Sequence, residues 1–208
     1  LRDIAYSHAV TTMKNHFRED HTCYHLVNYS LADGSVLGRQ TVQGCSDDSA
    51  WARGQAWALY GYTMMSREAA SAGDPEKSAA FLAQAEKVAS MLLSRLPEDG
   101  IPYWDFDSPD IPDDFRDASA GAVMASAFTE LSSLTSDRRL GKACRKMALR
   151  QIRALASDEY LAAVGENGNF LLRHSVGNKP GNSEVDVPLT YADYYFLEAI
   201  LRYLRLPS

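Results

Sequence analysis

The sequence predicts an all-α domain of successive helical hairpins, stacked or closed into a toroid, with a β-hairpin on one rim. Three observations carry this expectation. Apolar residues recur at helical spacing in six segments. Those segments are joined alternately by short turns and long loops. Only one long stretch alternates with the period of two that marks strands.

The first helix is expected over residues 1–18, where Ile4, His8, Thr11 or Thr12 and Phe17 fall near helical spacing. The chain therefore reads as starting inside a helix, and any targeting segment would lie upstream. "CYHLVNYSLADGSVLGRQTVQG" alternates like two strands around an Asp33-Gly34 turn. A second helix is expected over 49–70, and Gly73-Asp74-Pro75 ends it and restarts a third over 75–96. "LPEDGIPYWDFDSPDIPDDF", rich in proline, acid and aromatics, predicts a long ordered or functional loop. Helices follow over 118–134 and 137–156, and alanine, leucine and methionine suit all these segments. "GENGNFLLRHSVGNKPG" lacks the lysine and spacing of a phosphate loop and reads as extended loop with a short strand at 170–173. "LTYADYYFLEAILRYL" closes the series near Leu204, its aromatics read as core. No linker or short repeat divides residues 1–208, so one domain is expected.

The chain has 208 residues, 46% hydrophobic and 23% charged, enough to bury a sizeable core. A net charge of -6 disfavours a nucleic-acid or anionic-membrane surface, and an acidic ligand would need a local cationic spot. No run approaches a membrane span. Cys23, Cys45 and Cys144 show neither metal spacing nor an even-numbered framework, so free thiols are expected. That is compatible with a reducing compartment, and cytoplasm and periplasm both stay open.

The densest motif is "SDDSAWARGQAW", residues 46–57. Ser46, Asp47, Asp48 and Ser49 precede a helical run and are expected to cap it rather than to catalyse. At about 100° per residue, Trp51 and Trp57 should fall on different sides of that helix. Gly54 and Gly61 share a face and predict close approach by another backbone, since glycine in a helix costs about 1 kcal/mol. Arg53 and Trp57 are neighbours at i, i+4, an arrangement suited to a planar carboxylate beside a sugar ring. The alternative is a core tryptophan under an arginine stem. A hairpin turn centred on Gly34 places His25 opposite Gln43 on one face, converging with Trp51, Arg53 and Trp57.

These motifs, with "YH", "TVQG", "LPEDGIPYWDF", "RDASA" and "EVDVPLTYADYYFLEAI", resemble the unsaturated glucuronyl hydrolases of glycoside hydrolase family 88. The resemblance runs the length of the chain but matches only the C-terminal part of such an enzyme. It implies about half of an (α/α)6 barrel, and a hydrolase acting on lyase-generated oligosaccharides that end in a 4,5-unsaturated uronic acid. In that family an aspartic acid protonates the C4=C5 bond, water adds at C5, and the hemiketal opens, without metal or organic cofactor. Glycosaminoglycan-derived disaccharides are the favoured substrates. The resemblance implies substrate-binding roles for His25, Gln43, Trp51, Arg53 and Trp57, with His25 and Gln43 also supporting catalysis. Cys45 stands where many family members carry an aromatic residue. The catalytic aspartates belong upstream, so the expected partner of this chain is the missing N-terminal half of the barrel. By this reading the chain supplies binding residues and is inactive alone.

Local carboxylates are not promoted in their place. Asp105, Asp107, Asp110, Asp113 and Asp114 read as solvating loop residues, and Asp117 as a helix cap or a partner for Arg116. His21-x-x-x-His25 has zinc-like spacing, but His25 reads as strand and nothing completes a site, so no metal is expected. Unsaturated rhamnogalacturonyl hydrolases, with a related tryptophan-arginine-glycine motif, are the nearest enzyme alternative. A non-catalytic helical carbohydrate-binding protein is the alternative of another class.

Overall fold

A computed structural model describes residues 1–206. Six helices form in order: α1 (Arg2–Asn15), α2 (Ala52–Ser71), α3 (Pro75–Arg95), α4 (Ala118–Leu134), α5 (Arg138–Leu155) and α6 (Thr190–Leu204). Each lies where helical spacing predicts one, with ends moved by at most three residues.

The ends have local causes. At Gly73, in the left-handed region at φ +74°, α2 stops with Gly73 N–H on Ala70 O and Asp74 N–H on Ala69 O. Asp74 then caps α3 through Lys77 N–H at 3.0 Å, with Pro75 preset for the first turn. Asp137 caps α5 through two backbone N–H groups.

Helix α4 is the centre of the fold. Of its 17 residues, 13 are buried, so it packs on every side, and its run of alanine, serine and glycine lets neighbours come close. It lies between α2 and α6, while α3 backs α2 and α5 backs α4. Leu59, Phe81, Val88, Leu92, Met124 and Phe128 fill the space between α2, α3 and α4. Partly buried charges tie the central row together: Arg202 pairs with Glu130 at 2.7 Å and Glu198 at 3.3 Å, and Arg67 also pairs with Glu130.

The expected hairpin is present as β1 (Leu26–Tyr29) and β2 (Val36–Gln40), but in a different register. Leu26 faces Gln40, and the register shifts between Asn28 and Tyr29. His25 and Gln43 are therefore not directly opposed. The short strand expected at 170–173 does not form; a second hairpin follows it, in which β3 (Ser175–Asn178) pairs with β4 (Ser183–Val187). Leu172 makes only a single bridge, to Leu161.

Two apolar surfaces stay open. On α6, Tyr194, Leu197, Leu201 and Leu204 form one exposed stripe. Between α1 and α2 runs a groove of about 550 Å³. Among the described residues no helix is long and apolar enough to cross a membrane, and no cluster of metal-binding side chains occurs.

Candidate functional site

The site is built around Trp51, which stands at the start of α2 with extended backbone, φ -55° and ψ 121°. It is the residue before the helix proper, so helical spacing does not govern where its ring points relative to Trp57. Neither Asp47 nor Asp48 caps α2, which has no side-chain cap. Asp47 instead accepts from Thr41 N–H at 2.8 Å and shapes the loop after β2.

The long acidic loop holds Trp51 in place. Ala52 N–H donates to Trp104 O, and Phe106 N–H donates to Ala50 O. Asp105, expected in solvent, is fully buried and accepts from Cys45 N–H at 2.9 Å and Ser49 Oγ at 2.7 Å. The Asp114 carboxylate is likewise enclosed, accepting from Trp104 Nε1 at 2.6 Å and pairing with Lys179 at 2.6 Å. These acids are buried because each one closes unpaired backbone or side-chain donors, which water would otherwise have to reach.

Gly54 gives room for the Trp51 ring rather than for a neighbouring backbone: a Cβ there would meet the indole at 2.9 Å. Gly61 has nothing within 4 Å and opens on the groove. The other Trp51 neighbours are His25, with ring centroids 4.3 Å apart, and the Arg53 guanidinium at 4.5 Å.

His25 Nδ1 receives Val42 N–H at 3.2 Å and Gln43 N–H at 3.3 Å, with Thr41 Oγ1 at 3.0 Å. Backbone N–H can only donate, so Nδ1 is an acceptor and the neutral ring carries its proton on Nε2. His25 and Gln43 thus meet through the loop after β2 rather than across the strands. Burial, and then the charge of Arg53, hold His25 below the ordinary histidine range. Burial, then His8 and Arg39, do the same to His16.

A histidine with a depressed folded pKa favours the fold while neutral, above about pH 6.5, and that contribution is lost as pH falls through the folded value. The depressed carboxylates Asp20, Asp33, Asp74 and Asp114 lose theirs only below about pH 4. The denaturation midpoint should therefore fall between about pH 7 and pH 5, less steeply in His25→Gln. Identical slopes for parent and variant would contradict it.

Arg53 is placed differently from an arginine awaiting a carboxylate. Only 3% of it is exposed. Its guanidinium pairs with Asp117 at 3.1 Å and donates to the carbonyls of Val176 and, at 2.7 Å, Gly177. Gln43 Nε2 donates to the same Gly177 oxygen at 3.0 Å. Asp117 caps α4, as its sequence position suggests, but its ion-pair partner is Arg53; Arg116 turns away to Asp99. Trp57 is half-buried against Tyr195 at 5.1 Å and Tyr191 at 6.4 Å.

His25, Trp51 and Trp57 line the groove between α1 and α2 together. Arg53 and Gln43 do not line it; they hold β3 beside Trp51. Asp117, Val176, Gly177 and Tyr191 complete the arrangement without having been selected from the sequence. The turn composition of "GNKPGNS" between "SV" and "EVDV" was the available signal for β3 and β4.

No family model matches the chain. It is 45% identical over 202 residues to an unsaturated glucuronyl hydrolase of Formosa agariphila, covering 96% of this chain and 48% of that protein. It is 49% identical, with a TM-score of 0.89, to a crystal structure of an unsaturated glucuronyl hydrolase specific for heparin, covering 97% of this chain and 52% of that one. A Streptococcus agalactiae unsaturated glucuronyl hydrolase variant, complexed with dGlcA-GalNAc6S, is 30% identical with a TM-score of 0.81, covering 98% and 52%. The chain spans about half the length of the curated relatives it matches.

Proposed function

This chain is an unsaturated glucuronyl hydrolase homologue spanning about half of such a protein, and from that premise we propose that it forms the sugar-binding part of a hydrolase that removes 4,5-unsaturated uronic acid from lyase-generated oligosaccharides. The observation that carries the reading is the cluster of His25, Gln43 and Arg53 at Trp51, of which His25 and Trp51 line one groove with Trp57. An indole face and a neutral imidazole with its proton on Nε2, both lining the groove, suit a sugar ring and its hydroxyls. Arg53 belongs to this wall and acts through what it holds. Glycosaminoglycan-type disaccharides are the proposed substrates, in keeping with the heparin-specific relative. The reaction is acid-catalysed hydration of the C4=C5 bond. It requires a positioned acid–base carboxyl, which we assign to the part of the barrel upstream of this chain, because the buried Asp105 and Asp117 are committed to backbone donors and to Arg53.

The remainder of the (α/α)6 barrel is the proposed partner. It would cover the α6 stripe and close the groove between α1 and α2, apolar surfaces that a soluble monomer rarely leaves open. The test uses the natural full-length polypeptide and unsaturated heparin and chondroitin disaccharides. Loss of the conjugated double bond's ultraviolet absorbance is expected. Unchanged absorbance across several such disaccharides sinks the assignment.

A further inference from the structure

The Arg53–Asp117 pair is the most deeply enclosed ion pair among the described residues, with side chains 4% and 0% exposed. It joins three segments distant in sequence. Asp117 Oδ1 accepts from Ser119 N–H at 3.0 Å and Ser119 Oγ at 2.6 Å, and Val176 N–H lies 3.4 Å from it. Asp117 Oδ2 takes Arg53. Arg53 in turn carries the Val176 and Gly177 carbonyls and the Trp51 ring. With both oxygens committed and no exposed surface, Asp117 cannot meet a sugar, so acid–base chemistry is closed to it.

The strand it reaches needs such an anchor. β3 and β4 form a two-stranded ribbon, marginal by itself. Asn182, Glu184 and Asp186 all take positive φ, which non-glycine residues adopt only where surroundings enforce it. Glu184 presses on Gly177 closely enough that a Cβ there would lie 2.6 Å from its own Cβ. Val176, at the centre of β3, is buried against Trp51 and Trp104. Any movement of β3 is therefore passed to Trp51, and from Trp51 to His25.

We infer that Asp117 is a positioning residue of the site: it fixes Arg53 so that β3 and the Trp51–His25 stack form one rigid wall. That the wall meets a sugar rests on the proposed function; that Asp117 fixes it rests on the geometry alone.

Asp117→Asn in the natural full-length polypeptide keeps the size of the side chain and removes its charge. KM for an unsaturated disaccharide is expected to rise at least about tenfold, and by a larger factor than kcat falls, since the binding wall loosens while the reacting carboxyl lies elsewhere. Amide hydrogen exchange at residues 175–178 should accelerate at least about tenfold while residues 120–131 keep their protection. Arg53→Lys, which retains the charge but loses the two-pronged reach to the carbonyls, should show the same pattern. Unchanged KM with only a lower thermal midpoint overturns the inference, as does exchange at 175–178 no faster than elsewhere. Failure of both variants to fold also overturns it, in favour of a purely structural pair. If the parent processes no unsaturated disaccharide, the proposed function falls, and the exchange measurement alone decides the role of Asp117.

Discussion

Replacing Arg53 by alanine is expected to destabilise the fold by about 3–5 kcal/mol, because it strands the Asp117 carboxylate in the interior without its counter-charge. Three acceptors lose the Arg53 donor at once: Asp117 Oδ2, Val176 O and Gly177 O. Gln43 still reaches Gly177, so the Val176 carbonyl and Asp117 carry most of the loss. Chemical denaturation of parent and variant at one pH measures it. An arginine presented to solvent for a ligand would change stability by only about 0.5 kcal/mol, so the two placements give clearly separate results. The double variant with Asp117→Asn should lose less than the sum of the single changes, by about 0.5–3 kcal/mol of coupling. Additive losses would show that the two side chains do not support one another.

Trp51→Ala should also cost about 3–5 kcal/mol, the range for emptying a large aromatic site from a packed interior. Trp51 is 6% exposed and packs with Val176 and Trp104 beside the space that Gly54 leaves. Its loss also removes the cover over His25, whose pKa should move back toward the ordinary histidine range as burial is relieved. Denaturation and a proton-resonance titration of His25 report the two effects independently. Trp51→Phe retains an aromatic face and should recover part of both. A His25 titration that does not move in Trp51→Ala would mean that the stack does not set its environment.

The helices were legible in the sequence because their signals are local. Apolar spacing, Gly73-Asp74-Pro75 and the capping aspartates at 117 and 137 act within one turn. The first hairpin was legible as two strands but not in register: its turn closes from Ser30 to Ser35 and so is centred ahead of Gly34, and the irregularity at Asn28 and Tyr29 shifts the pairing again by one residue. The meeting of His25 and Gln43 was legible as a juxtaposition, though it comes through the loop after β2 and not across the strands. The second hairpin escaped because β3 has one strongly β-forming residue, Val176, among serine, glycine and asparagine. The acids of the long loop were misjudged for a related reason: composition distinguishes a buried Asp105 from a solvated one only through partners at Cys45 and Ser49, some sixty residues away.

Homology to half of an unsaturated glucuronyl hydrolase, six helices and the nearness of His25 and Arg53 to Trp51 were determined by the sequence itself, through short-range periodicity and motifs read in order. Only the tertiary structure decided that Arg53 spends its charge on Asp117 and on β3. Adjacent residues 116 and 117 point to different partners because the start of α4 turns one side chain inward and leaves the other at the loop. Pairing among buried charges depends on which groups folding brings within reach, and residues 53, 117 and 176 become neighbours only when three segments pack.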